Sequence, residues 1–145
     1  MMQNWYVLRV VHASERVVSQ SIPGAWFPLR AYINRRPGQP RVIRYTPLVH
    51  GIVFVPDHGQ SPYDHLTRHH VISLYADPWG NPLFIPRIQI EAFREKCEMA
   101  LNSVQIALQP RRKEKRPWVR MDVESLSEAL KTLLGPKGFE IEEAA

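Results

Sequence analysis

The sequence predicts a compact domain that mixes strands with helices, α/β or α+β in class. Two apolar, β-branched stretches with a short helical pattern between them carry that expectation. The organising stretch runs from Pro47 to Pro56. Its core, Leu48 to Val55, is almost wholly apolar and proline closes both ends. A run this short reads as a central strand buried on both faces. Gly51 and the proline flanks argue against a buried helix, and Gly51 marks a bulge or a close backbone approach. The second stretch is Trp5-Tyr6-Val7-Leu8-Arg9-Val10-Val11.

Strand alternation puts Tyr6, Leu8 and Val10 on one face of the first strand. Trp5, Val7, Arg9 and Val11 share the other, and Arg9 implies that this face is only partly covered. Ser14 can cap a short helix with Val17 and Val18 inward, and Pro23-Gly24 must stop it. Residues 25–46 read as a long hairpin arm, interrupted by Pro28 and turning at Pro37-Gly38. This arm carries Arg30, Arg35, Arg36, Arg41 and Arg44 and no acidic residue. It is either a solvated hairpin tip or a phosphate-contacting surface, since the arginine fork suits phosphate.

Residues 57–67 read as a loop leading into a short helix or turn around Pro62 to His70. Ile72 to Tyr75 and Leu83 to Ile85 read as strand fragments with a turn at Ala76 to Asn81. Arg87 to Leu108 is an amphipathic helix. Ile88, Ala92, Cys97, Leu101, Val104 and Leu108 recur near helical spacing, and Glu91, Arg94, Glu95, Lys96 and Glu98 point outward. Residues 109–120 form a basic, proline-bounded linker, read first as a solvated tether. Residues 121–145 hold a second amphipathic helix, capped by Asp122 with Val123, Leu126, Leu130, Leu133 and Leu134 on one face, and then an acidic tail. This helix either completes the core or lies as a lid over a binding surface.

The length of 145 residues suits about one domain, with residues 1–108 as its body. Thirteen prolines against seven glycines imply many fixed turns and strand ends. Net charge of +5 and a pI near 9.7 favour an acidic partner such as nucleic acid as much as a merely basic soluble protein. A single cysteine, Cys97, rules out an internal disulfide and fits a reducing cytoplasm. No stretch reaches the ~18 apolar residues of a membrane span.

Signals for catalysis are weak. His65 and His69 would share one helical face and could chelate a metal, yet spacing fixes no further ligands and no HExxH motif is present. Exposed histidines are the default, so no metal or cofactor is assigned. A zinc enzyme on this cluster would need stoichiometric metal. Cys97 sits inward on its helix and reads as a small buried hydrophobe. No glycine-rich phosphate loop and no Ser-His-Asp arrangement emerge, so the chain is read as a non-enzyme.

The order of these pieces resembles a known family. Trp5-Tyr6-Val7-Leu8-Arg9, a short helix, a basic hairpin and Tyr45-Thr46-Pro47-Leu48-Val49-His50-Gly51-Ile52-Val53-Phe54-Val55 are similar to the N-terminal domain of the NusG family of transcription elongation factors, which includes RfaH-type paralogues. Asn81 to Pro86, followed by Ile88 to Phe93, resembles that domain's last strand and following helix. The likeness covers roughly residues 4–108. It implies a small, mainly antiparallel sheet flanked by helices. It also implies docking on the clamp helices of RNA polymerase through an apolar patch. Carried over by motif, that surface includes Arg9, Leu48, Val49, Ile52 and Phe84, with His65 and Thr67 facing the other side of the polymerase cleft. The arginine hairpin would approach non-template or upstream DNA. A cytoplasmic monomer acting in antitermination is expected.

The chain departs from the family twice. Val49-His50-Gly51-Ile52 stands where an aromatic-Pro-Gly-Tyr sequence is usual. Residues 121–145 are too short for the KOW barrel that normally follows, so a helical tail without coupling to Rho or ribosomes is expected. The contrasting expectation is a stand-alone nucleic-acid-binding module that uses the arginine hairpin.

Overall fold

A computed structural model describes residues 4–34, 38, 40–59, 61–108 and 123–134. Among them the chain is an α+β protein with six strands in two antiparallel sheets. The main sheet is built on β1 (Asn4–Val10), β4 (Ile52–Pro56), β5 (Val71–Leu74) and β6 (Ile85–Pro86). β2 (Leu29–Asn34) and β3 (Val42–Pro47) pair separately as a ribbon. The helices are α1 (Glu15–Ser21), α2 (Arg87–Leu108) and α3 (Val123–Leu134), and a 3-10 helix spans Pro62–Thr67.

The central strand is β1, which corrects the expectation that Pro47–Pro56 takes that place. β4 runs along one edge of β1, with Trp5 opposite Pro56 and Arg9 opposite Ile52. β5 and β6 share the other edge, β5 at Leu8–Val10 and β6 at Asn4–Trp5. All five residues of β4 are buried, as the apolar run predicted. Its free edge is closed by Trp26, whose backbone N–H and C=O bond Phe54 at 2.9 and 2.7 Å. The strand begins only at Ile52 because Gly51 adopts φ +84°, a left-handed conformation that redirects the chain from the ribbon into the sheet.

Alternation along β1 builds two cores. Tyr6, Leu8 and Val10 join Val53, Val55, Val18 and Ile22 beneath α1. Trp5 and Val7 join Phe54, Ile85, Ala31, Ile90, Phe93 and Cys97 beneath the ribbon and α2. In α1 the buried positions are Glu15 and Val18, followed by Ile22, whereas Val17 is 57% exposed. The spacing 15, 18, 22 defines a single helical face, and Val17 lies off it. Ser14 takes the cap position without a side-chain hydrogen bond, and its carbonyl accepts the Val18 N–H at 3.0 Å.

α2 has the predicted limits, and Cys97, Leu101 and Val104 of the predicted inner face do face the core, but its first turns present other residues inward. Ile90, Phe93, Cys97 and Val104 are buried, while Ile88 is 70% exposed and Ala92 is also exposed. In the first turns Ile90 and Phe93 take the inward places instead of Ile88 and Ala92, which buries the bulkier Phe93. Arg94, expected to point outward, lays its guanidinium over the rings of Trp5 and Trp26 at 5.8 and 5.2 Å. α3 buries Leu126, Leu130 and Leu134 in the main core and packs on α2. It is a core element, and Arg9 stays exposed with α3 docked. The basic linker, the Asp122 cap and the acidic tail lie outside the described residues.

Leu130 has no exposed surface, so Leu130→Ala is expected to lower stability by about 2–5 kcal/mol in urea unfolding. A loss under about 0.5 kcal/mol would show that α3 is not part of the core. Gly51→Ala is expected to cost about 1–2 kcal/mol through left-handed strain. An added Cβ there would also stand 3.3 Å from the Val10 carbonyl oxygen.

Candidate functional site

Both cores shield most of the main sheet, but the cover ends at Arg9. Here a row crosses three strands: Ile52 on β4, Arg9 on β1 and Ser73 on β5. Arg9 is exposed, as its place among apolar neighbours implied. Ile52 opposite it is 1% exposed and Leu48 only 8%, and both belong to the main core. This corrects their assignment to an accessible patch: both side chains pack into the main core, Ile52 from β4 and Leu48 from the turn before it. Val49 is half-buried at the margin of that core.

Tyr75 completes this end of the sheet. Its backbone N–H donates to the Val7 carbonyl at 2.9 Å and extends the β5 pairing. Burial raises its hydroxyl pKa above the ordinary value, and the positive charge of nearby Arg9 acts in the opposite direction. A cation and a phenol therefore lie near one another at this end of the sheet, and Val49, like Tyr75, packs half-buried against the main core. Tyr75 was missed because the sequence places it at the end of a strand fragment with no sign of what lies beside it.

Phe84 does not join this group. It is 50% exposed, and its ring packs 4.9 Å from Tyr6, on the opposite face of β1 from Arg9. Ile85, its neighbour, turns back into the main core opposite Trp5. The five residues expected to form one patch are thus split between two faces and the interior.

His65 and Thr67 lie on the 3-10 helix. Thr67 is exposed and its hydroxyl donates to the Asp64 carbonyl at 2.9 Å. His65 is 8% exposed, and its Nδ1 accepts from Arg68 Nε at 3.2 Å. Arg68 reaches on to the Ser21 carbonyl at 3.4 Å and ties this segment to the end of α1. Its partner role removes His65 from an accessible surface. Burial first, and then the Arg68 charge, lowers the His65 pKa below the ordinary value.

One buried acid was not anticipated. Glu15, 2% exposed, accepts the Gly51 N–H on Oε1 at 2.9 Å. His50 Nδ1 stands 3.8 Å from the same oxygen, and the His50 ring packs 4.4 Å from His12. The contact holds the Leu48–Gly51 turn against α1. No local pattern signals it, because Glu15 and Gly51 are distant in sequence.

The arginine ribbon forms as expected, with Leu29 opposite Pro47 and Asn34 opposite Val42. Arg30, Arg41 and Arg44 are exposed on it, while Arg35 and Arg36 lie outside the described residues. Beyond the main sheet, Asp77 Oδ1 accepts the N–H groups of Trp79 and Asn81, both at 2.9 Å. That turn displays Trp79 at 83% exposure.

Among the described residues no group of three or more His, Cys, Asp or Glu is arranged to hold a metal ion. Burial, with a smaller push from Glu98, drives the Cys97 thiol pKa up to about 12. Among the described residues no helix is long and apolar enough to cross a membrane. Compared with known proteins, the chain matches no family model and no curated protein.

Two outcomes follow from these side chains. Cys97 should resist a thiol reagent at pH 8 until the protein unfolds, because only the thiolate reacts; rapid labelling of the native protein would contradict its burial. A histidine with a lowered native pKa binds its proton more readily when unfolded. Its stabilising effect is therefore complete above about pH 6.5 and is lost as pH falls through the lowered native value. Urea unfolding at pH 7.5 and 5.0 should show a larger acid loss for wild type than for His65→Gln. Equal losses would remove His65 from the pH dependence.

Proposed function

We propose that this chain is a transcription elongation factor of the NusG type. It docks on the clamp helices of RNA polymerase, modulates pausing and termination in the direction of antitermination, and catalyses nothing itself. The reading places it in the cytoplasm as a monomer. The single observation that carries it is the end of the main sheet where exposed Arg9 stands in the Ile52–Arg9–Ser73 row near half-buried Tyr75, with Val49 half-buried on the same core. An arginine flanked by apolar and aromatic groups, on a rigid sheet, is the kind of anchor that dominates protein–protein contacts. The order of strand, short helix, basic ribbon and buried strand in this fold agrees with the family likeness of the sequence and supports the same reading.

The docking surface in this proposal is narrower than the motif carry-over. Arg9, Val49 and Tyr75 make the contact, while Leu48 and Ile52 support it from within. Thr67 and Phe84 face elsewhere and are available to a second polymerase element.

The test is retention of core RNA polymerase by the immobilised protein. Arg9→Glu and Val49→Asp variants, first checked for native circular dichroism, should bind at least tenfold more weakly, a loss of about 1.4 kcal/mol or more. No retention by the folded wild-type protein would sink the polymerase reading and favour the stand-alone nucleic-acid-binding module.

A further inference from the structure

We propose that the outer face of the β2–β3 ribbon binds single-stranded nucleic acid. Tyr32 serves as a stacking platform for one base, and Arg30 and Arg44 hold the phosphates on either side. The proposal deepens the phosphate-contact reading of the arginine hairpin. It uses none of the residues of the polymerase surface.

The register sorts the ribbon into two faces. Arg30 pairs with Thr46 and Tyr32 with Arg44, while Ala31 pairs with Tyr45 and Ile33 with Ile43. Ala31 is buried, and Ile33 and Ile43 pack on the main core, so that face looks inward. Alternation therefore sends Arg30, Tyr32 and Arg44 outward together. All three are exposed, Tyr32 at 49%. Directly opposed side chains on an antiparallel pair start about 5 Å apart, and neighbours on one face of a strand about 7 Å. Both guanidinium groups thus flank one aromatic ring within the reach of adjoining phosphates.

The ribbon itself carries charge of one sign. No acidic residue occurs between Arg16 and Pro56. Neither the Glu15–His50 contact nor the Arg87–Glu91 ion pair involves Arg30 or Arg44. Their charge is directed at solvent, and arginine matches phosphate oxygens in a bidentate fork. The cationic face complements a polyanion.

Tyr32 decides which polyanion. A duplex offers phosphates but keeps its base faces stacked inside, so the arginines would serve it and the ring would not. An unpaired base exposes its π-face, and stacking on an aromatic side chain is independent of sequence. An arginine–tyrosine–arginine face therefore favours single strands, whether DNA or RNA.

Fluorescence anisotropy with a labelled 12-nucleotide DNA, its RNA counterpart and the matching DNA duplex tests this on the full chain. Wild type should bind a single strand, DNA or RNA, more tightly than the duplex. Tyr32→Ala should weaken single-strand binding by roughly 5- to 150-fold and leave duplex binding unchanged, and Tyr32→Phe should restore it. Arg30→Gln and Arg44→Gln should weaken both and lower the salt dependence of single-strand binding, each by about 0.7 in log–log slope. These side chains lie outside the core, so circular dichroism should be native throughout. Duplex preference, or a Tyr32→Ala variant that loses nothing or loses both alike, would overturn the proposal.

Discussion

The structure hangs on β1. It alone in the main sheet carries strands on both edges, and Val7 and Leu8 have no exposed surface at all. Successive side chains enter different cores, so one strand of seven residues seeds both. α1 must then cover one face, and the ribbon and α2 the other. A short helix such as α1 has no independent stability and exists because Val18 and Ile22 are buried there. Where this cover stops, towards the C-terminal end of β1, Arg9 is exposed.

Two polar features sit inside this apolar frame. Glu15 is buried but satisfied by the Gly51 N–H, and it joins the start of α1 to the turn that feeds β4. A buried carboxylate without such a partner would be costly. The turn it fixes also carries Val49, which packs half-buried on the main core, so a buried contact helps to position a candidate binding residue. Trp5 Nε1, by contrast, is buried without a hydrogen-bond partner among the described residues. The Arg94 cation above its ring interacts with the π-face rather than with that N–H.

The two proposed surfaces divide the chemistry between separate elements. The sheet end offers one cation among apolar and aromatic neighbours, suited to a protein partner. The ribbon offers cations around a single exposed ring, suited to a nucleic-acid strand. Because the ribbon pairs apart from the main sheet, its outer face can be altered without touching β1. The two proposed activities are therefore separable by mutation.

The sequence alone determined much of the local structure. Apolar runs and proline flanks marked the strands, helical spacing set the limits of α2, and alternation foretold both the two faces of β1 and the exposure of Arg9. The arginine hairpin was legible because turn chemistry and charge are local properties. Tertiary structure decided what depends on distant partners. Which residues of the first turns of α2 face the core was settled by packing, with Ile90 and Phe93 inward in place of Ile88 and Ala92, and β1 displaced Pro47–Pro56 from the centre because pairing order is not written in either strand. Leu48 and Ile52 went inward, Phe84 went to the far face, and Glu15 found Gly51 across 36 positions of chain. Residue type and spacing report what a side chain prefers, but which neighbour covers it depends on contacts that only the folded chain brings together.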